Sequence, residues 1–321
     1  MKLDVPFLQL PLAFDAAALA AEIEALGEGA WRPHPQGFAG NSALPLVSVG
    51  GDPASDAVRG PMRPTPQLLA CPYLLQVLHA LGAVWGRSRL MRLSGQAEVN
   101  LHVDTNYYWR EHMRVHVPIV TQPTVRFHCG DAMINMAAGE CWVFDTWRMH
   151  KVLNDDSRAR IHLVADTVGG RGFWGQMRYA MPHDRRPPGW QPRLVAPDGK
   201  AYEPDYESVN LPDVMSPWEV REHLNFLLRE LPPGEAQAAF GGGLAAPFAR
   251  DWQALWAKYG DRGDGLVEYR QLRDALHQQV AQFDAVKLRN GIPLGGAVRA
   301  IVVANLVAEG PGGDVEVRSG T

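Results

Sequence analysis

Six of the eleven histidines fall between positions 102 and 162, and their parity carries more than their number. In Glu98-Val99-Asn100-Leu101-His102-Val103-Asp104 the odd positions are apolar and the even ones polar. Alternate side chains of a strand share a face, so Asn100, His102 and Asp104 are expected to point together. His112, Arg114 and His116 repeat the pattern, and so do Arg158, Arg160 and His162. An imidazole and a carboxylate two residues apart offer one ion a nitrogen and an oxygen. A distant second histidine completes a set of two His and one carboxylate, which leaves coordination positions open and suits non-haem Fe(II). His150, at the head of an apolar run, is the best placed. His102, Asp104 and His150 are therefore the candidate metal ligands and the candidate catalytic centre. Arg160 follows His150 by ten residues. On a neighbouring strand its guanidinium grips a carboxylate in a bidentate fork, as an iron enzyme that uses 2-oxoglutarate requires. Arg158 has the same parity and competes for that role. The plain alternatives are a His102–Asp104 hydrogen bond without metal, and an Arg160 paired with Asp155 or Asp156. His112, His128 and His162 are read as structural.

These residues need strands to carry them. From Arg87 to Gly169 short alternating runs are separated by Gly, Pro, Asn and Asp. The predicted strands are 88–93, 97–104, 112–120, 124–129, 132–136, 140–145, 149–153 and 158–167. Strands so closely spaced, with no helix between them, predict a mainly β core: an antiparallel, cupin-like jelly roll. Flanking helices are expected at 15–26, capped by Asp15, and at 72–81, opened by Pro72 and closed by Gly82. Residues 182–212 hold seven of the 25 prolines and read as a linker or flap. Ser216-Pro217-Trp218-Glu219 is a capping box for a helix reaching Leu231. Further helical periods cover 248–259, 266–287 and 296–308, with Gly241-Gly242-Gly243 as a flexible connector. The expected division is a jelly-roll domain with N-terminal helices over 1–180, then a Pro-rich connector and helical C-terminal region over 181–321. Trp218, Trp252 and Trp256 are expected in the core of that helical region. Tyr107-Tyr108-Trp109 is either a substrate-facing loop or a packed rim.

With these motifs the chain resembles the aspartyl/asparaginyl β-hydroxylase family of Fe(II)/2-oxoglutarate oxygenases. The resemblance covers residues 85–170. It rests on His102-Val103-Asp104-Thr105-Asn106, Arg114-Val115-His116, Phe144-Asp145 ahead of His150, and Arg160-Ile161-His162. It implies a double-stranded β-helix, Fe(II) on His102, Asp104 and His150, and the 2-oxoglutarate carboxylate on Arg160. Arg114 and His116 match positions lining the co-substrate or substrate pocket. Asn106, Trp147 and Arg158 are candidate substrate contacts, and Arg114 or Arg158 is the candidate cation for a substrate carboxylate. The animal peptide hydroxylases look as if they lack the carboxylate ligand. Asp104 is present here, so the chain is more similar to bacterial members, among them free-proline 3-hydroxylases. The implied substrates are O2 and an amino acid, free or in a peptide, hydroxylated at the β-carbon.

Composition narrows the alternatives. A net charge of −4 and a pI near 6.3 give no basic field for nucleic acid or an anionic membrane. Three cysteines, with no C-x-x-C, exclude a disulfide scaffold and suit a reducing cytoplasm. No apolar run reaches the roughly 18 residues of a membrane span. Two rival classes stand beside the oxygenase: a cupin-like metalloenzyme that does not use 2-oxoglutarate, and a catalytically silent binding protein. Arg160 argues against the first, and the retained ligand set against the second.

Overall fold

The computed structural model describes residues 1–34 and 37–308. The described chain forms two compact units. Met1–Asp104 and Glu111–Asn210 make the first, and Thr105–Arg110 with residues 211–308 the second.

Ten strands organise the first unit: β1 (Phe7–Phe14), β2 (Asn41–Val49), β3 (Val84–Leu93), β4 (Glu98–His102), β5 (Met113–Val120), β6 (Val125–Cys129), β7 (Ala132–Ile134), β8 (Glu140–Phe144), β9 (His150–Asn154) and β10 (Arg160–Gly169). The large sheet runs β1-β8-β5-β10-β3-β2 and the small one β4-β9-β6-β7. All these neighbours are antiparallel. From β3 to β10 the chain alternates between the sheets apart from the β6–β7 hairpin within the small one, which is the double-stranded β-helix. All eight predicted strands are present. β1 and β2 were not foreseen, since each carries a proline and lies outside the histidine-rich stretch.

Strand parity divides the buried residues into two cores. One face of the large sheet sends Val115, Val117, Cys141, Val143, Leu163 and Ala165 against helices α1 (Ala16–Ala25) and α2 (Pro72–Leu81). Those helices contribute Leu19, Ile23, Leu74, Val77 and Leu78. The other face meets the small sheet through Phe7, Leu93, Phe127, Trp142, Phe144 and Val152. The Asp15 side chain accepts the Ala17 and Ala18 amides, capping α1 as expected. The Glu22 carboxylate accepts the Tyr73 and Leu74 amides, so α1 satisfies the first turn of α2. Gly82 ends α2 at φ +64°, where a Cβ would lie 2.9 Å from the Gly172 Cα.

The proline-rich stretch is a strap rather than a free linker. Met181–Pro182 pairs with β1, Arg193–Val195 runs parallel to β1, and Asp205–Tyr206 runs parallel to β3. His112 and Glu207, both buried, meet at 2.6 Å. Strand edges thus supply the partners that proline leaves available, and the first compact unit runs on to Asn210.

In the second unit the Ser216 capping box is present and starts α3 (Pro217–Glu230). α4 (Ala246–Tyr259), α5 (Leu266–Val280) and α6 (Leu294–Ile301) follow. Gly241, Gly242 and Gly243 lie in a π-helical turn running into α4, not in a connector. The Trp252 indole is fully buried and donates to the Met215 carbonyl, whereas Trp218 is exposed. Tyr107–Glu111 is a short helix. Tyr107 donates to Glu219 and packs edge-on against His223, the packed rather than substrate-facing alternative. No helix among the described residues is long and apolar enough to cross a membrane.

Candidate active site

His102 closes β4 and His150 opens β9, and these positions are direct cross-strand partners. Their rings lie 4.1 Å apart between centroids. Asp104 leaves β4 two residues on, and its amide donates to the Thr146 carbonyl in the turn before β9. That turn is shaped by the buried Asp145 carboxylate, which accepts the Trp147 amide and the Arg148 guanidinium. Ligand atoms of His102, Asp104 and His150 all lie within 4.8 Å of one another, the one such grouping of three among the described residues.

The surroundings of these three groups suit a metal. His102 Nδ1 is 2.7 Å from the Asn100 carbonyl, and His150 Nδ1 is 2.9 Å from the Arg148 carbonyl. A carbonyl accepts only, so each Nδ1 carries a proton and each Nε2 is the nitrogen left to meet a metal. Burial pushes the His150 imidazole down to about 4 against the pull of Asp104, which keeps it neutral. Burial also works to raise the Asp104 carboxyl. The Arg114 guanidinium and the two imidazoles outweigh it and hold Asp104 below its ordinary value. A neutral His150 imidazole and an ionised Asp104 carboxylate are protonation states a metal takes up.

Arg114 links two buried carboxylates. Its Nη1 donates to Asp104 Oδ2 at 3.1 Å, and its Nε donates to Asp166 Oδ1 at 2.9 Å. It faces the pocket as the parity indicates, but it braces a candidate ligand and is not a spare cation for the substrate. His116 stands next to it along β5. Both ring nitrogens of His116 and both of His162 are buried without a hydrogen-bond partner. The two rings sit 5.8 Å apart, and Phe127 and Phe144 pack edge-on against His116. Burial, then the charge of Arg160, holds both imidazoles well below their ordinary range.

Arg160 is 4% exposed and makes no ion pair or hydrogen bond among the described residues. The two acids that would have neutralised it are engaged elsewhere: Asp155 with Arg126 and Asp156 with Arg158. Desolvation pushes the guanidinium down to about 10, so it remains a cation. A buried cation without a counter-charge is costly. An anion taken up from solution relieves that cost.

The other predicted contacts divide. The Arg158 side chain is 70% exposed and closes on Asp156 in the turn before β10, which removes it from the pocket. Trp147 is buried in the turn between β8 and β9. Asn106 folds with the second unit and accepts the Tyr108 amide. His112 is structural, as expected, through Glu207. His162, also expected to be structural, instead lies on the pocket face; its two-residue spacing from Arg160 was the available signal. Arg89 was missed outright. It is cross-strand partner to Val164, as is His116, so all three lie on one face.

Residues 57–169 match the sequence profile of the aspartyl/asparaginyl beta-hydroxylase family. No curated protein sequence matches the chain. Among solved structures, a Pseudomonas putida prolyl-4-hydroxylase is similar at TM-score 0.34 and 16% identity, over 52% of this chain and 94% of that one. An oxidoreductase of the 2OG-Fe(II) oxygenase family from Burkholderia pseudomallei gives TM-score 0.33 and 14% identity, over 48% and 81%. A sugar phosphate isomerase of the cupin superfamily from Silicibacter pomeroyi gives 0.25 and 17%, over 42% and 66%. At such scores the structural likeness carries no weight beside the profile match and the site geometry.

Proposed function

Taking residues 57–169 as an aspartyl/asparaginyl β-hydroxylase domain, of an enzyme dependent on iron and 2-oxoglutarate, we propose that this protein hydroxylates an amino acid, free or within a peptide, at its β-carbon. The matched family, whose name gives both the residue class and the carbon, supports the substrate. The observation that carries the reading is the site itself. Two imidazoles and a carboxylate converge while a buried Arg160, unpaired among the described residues, waits on the facing sheet.

We assign the iron to His102, Asp104 and His150, and one 2-oxoglutarate carboxylate to Arg160. When bound, the metal and co-substrate supply the oxidising power that inserts one atom of O2 into an unactivated C–H bond. The chain's own residues position and exclude. Arg160 grips the co-substrate through charge-assisted hydrogen bonds. His116 and His162, neutral and unpartnered, offer donors along its length. Arg114 holds Asp104 ionised and in one orientation. Phe127 and Phe144 keep bulk water from the same wall.

The test is anaerobic loading with Fe(II) and 2-oxoglutarate, then exposure to oxygen with a panel of amino acids and peptides. Succinate is the readout, and the position of the new hydroxyl is found by NMR. Succinate in step with a β-hydroxylated product is expected. Product oxygen drawn wholly from labelled water would sink the reading, and so would turnover that consumes no 2-oxoglutarate.

A further inference from the structure

The pocket face of the large sheet carries a second buried cation. Arg89, on β3, is 7% exposed, and its side chain makes no hydrogen bond or ion pair among the described residues. Its row across the sheet is His116, Val164, Arg89 and Pro45. The neighbouring row holds Arg114 and Asp166. Arg89 therefore lies on the inner face, at the end where Arg114 reaches Asp104.

The acids near Arg89 are already engaged. Asp166 and Asp56 are the carboxylates whose charge it feels. Asp166 is held through both oxygens by Arg114, at 2.9 and 3.5 Å. Asp56 is paired with Arg32 at 2.5 Å. Arg87 and Arg114 add like charge, and His34, held neutral by burial and by Arg89, adds no anion. Arg160 does not share the site. Its strand position precedes Val164 by four residues, about 13 Å at the rise of a strand. The two arginines are therefore rooted at separate points of the face.

We propose that Arg89 is a second anion subsite, distinct from that of Arg160, and that it receives a carboxylate of the substrate. The subsite rests on Arg89's own surroundings, and its assignment to the substrate rests on the hydroxylase reading above. One guanidinium then takes the co-substrate and the other the molecule to be oxidised, at opposite ends of one face. The substrate class is an anionic amino acid or peptide, not a neutral amide.

The test uses full-length protein loaded with Mn(II) and saturated with N-oxalylglycine, an unreactive 2-oxoglutarate analogue that occupies the Arg160 end. Acetate is titrated against chloride at matched ionic strength, and melting temperature is read. Acetate should raise the wild-type melting temperature saturably. Arg89→Met should bind it roughly ten- to a hundred-fold more weakly, and Arg89→Lys should keep part of the response. Without carboxylate, Arg89→Met should melt at or above the wild-type temperature, because the variant no longer buries an unpaired charge. The proposal is overturned if Arg89→Met responds like wild type, or if wild type shows no response beyond chloride. It is also overturned if Arg89→Met loses N-oxalylglycine, which would make Arg89 the co-substrate anchor. A melting temperature lowered in every buffer and not rescued by lysine would make it merely structural. A separate arm compares free amino acids with their amides, and aspartyl with asparaginyl peptides, by stimulation of succinate release. Stimulation by acids alone supports the proposal. If nothing stimulates while the acetate response stands, the subsite stands and the amino-acid reading falls.

Discussion

The two faces of the large sheet are built by the same strands from alternate residues, yet they differ in kind. The face toward α1 and α2 is closed and apolar, with Leu10, Leu78, Val115, Leu163 and Ala165 all fully buried. The face toward the small sheet buries Arg89, Arg160, His116, His162 and Asp166 and carries the partly buried Arg114. Only Arg114 and Asp166 among these hold each other. One face supplies stability through area removed from water. The other gives up stability to keep charges and imidazoles dry and unpaired. A strand's period of two lets one set of backbone hydrogen bonds serve both ends, so the site needs no loop to hold its groups.

Separate substitutions break the comparison, from the ligands outward. His102→Ala or His150→Ala should abolish iron binding and turnover with little loss of fold. Equilibrium dialysis with Fe(II) checks this, and wild-type iron affinity in both variants would move the site elsewhere. Leu163→Ala, on the closed face, should cost about 2–5 kcal/mol of stability and leave the requirement for 2-oxoglutarate unchanged. Denaturant unfolding beside a co-substrate titration reads both. Arg160→Ala should do the reverse: a rise of roughly ten- to a hundred-fold in the 2-oxoglutarate requirement, with no loss of stability in the metal-free protein. An unchanged requirement would contradict the assignment of the co-substrate.

Acid should act on the open face first. His116 and His162 are held well below their ordinary values by burial and then by Arg160. In the unfolded chain they take protons near pH 6.5, and in the folded protein only at lower pH. Between those values the unfolded state binds more protons, so stability is full above about 6.5 and falls as pH drops below it. His162→Asn should flatten that slope in metal-free protein by up to about 1.4 kcal/mol per pH unit. Urea midpoints from pH 7 to 5 measure it, and an unaltered slope would mean that His162 titrates freely. The smallest effect belongs to Arg158→Gln, outside the pocket. Its stability and co-substrate requirement should stay within about 0.5 kcal/mol of wild type.

The eight core strands were legible because polar and apolar residues alternate over 88–167, a pattern only a half-polar strand satisfies. The candidate ligand set was legible for the same reason, since His102 and Asp104 share parity and His150 heads an apolar run. Arg158 and Arg160 were not separable, because parity says which face a residue takes but not where the strand begins. β10 starts at Arg160, which leaves Arg158 in the turn with Asp156 within its reach. The proline-rich strap misled for a related reason. Its prolines argue against continuous strand, and only the edge of β1 and the start of β3, beyond its pairing with β2, show where its short extended pieces pair.

By itself, then, the sequence determined the strands, their two faces, the helix caps at Asp15 and Ser216, and the residue types able to hold a metal. These are local properties, set by the period of the backbone and by side chains a few positions apart. Tertiary structure decided which charges meet. It gave Arg114 to Asp104 and Asp166, Asp155 to Arg126, and Asp156 to Arg158, and it left the Arg89 and Arg160 side chains with none among the described residues. Pairing across strands depends on register between segments far apart in the chain, and neither composition nor spacing encodes which cation is left without an anion.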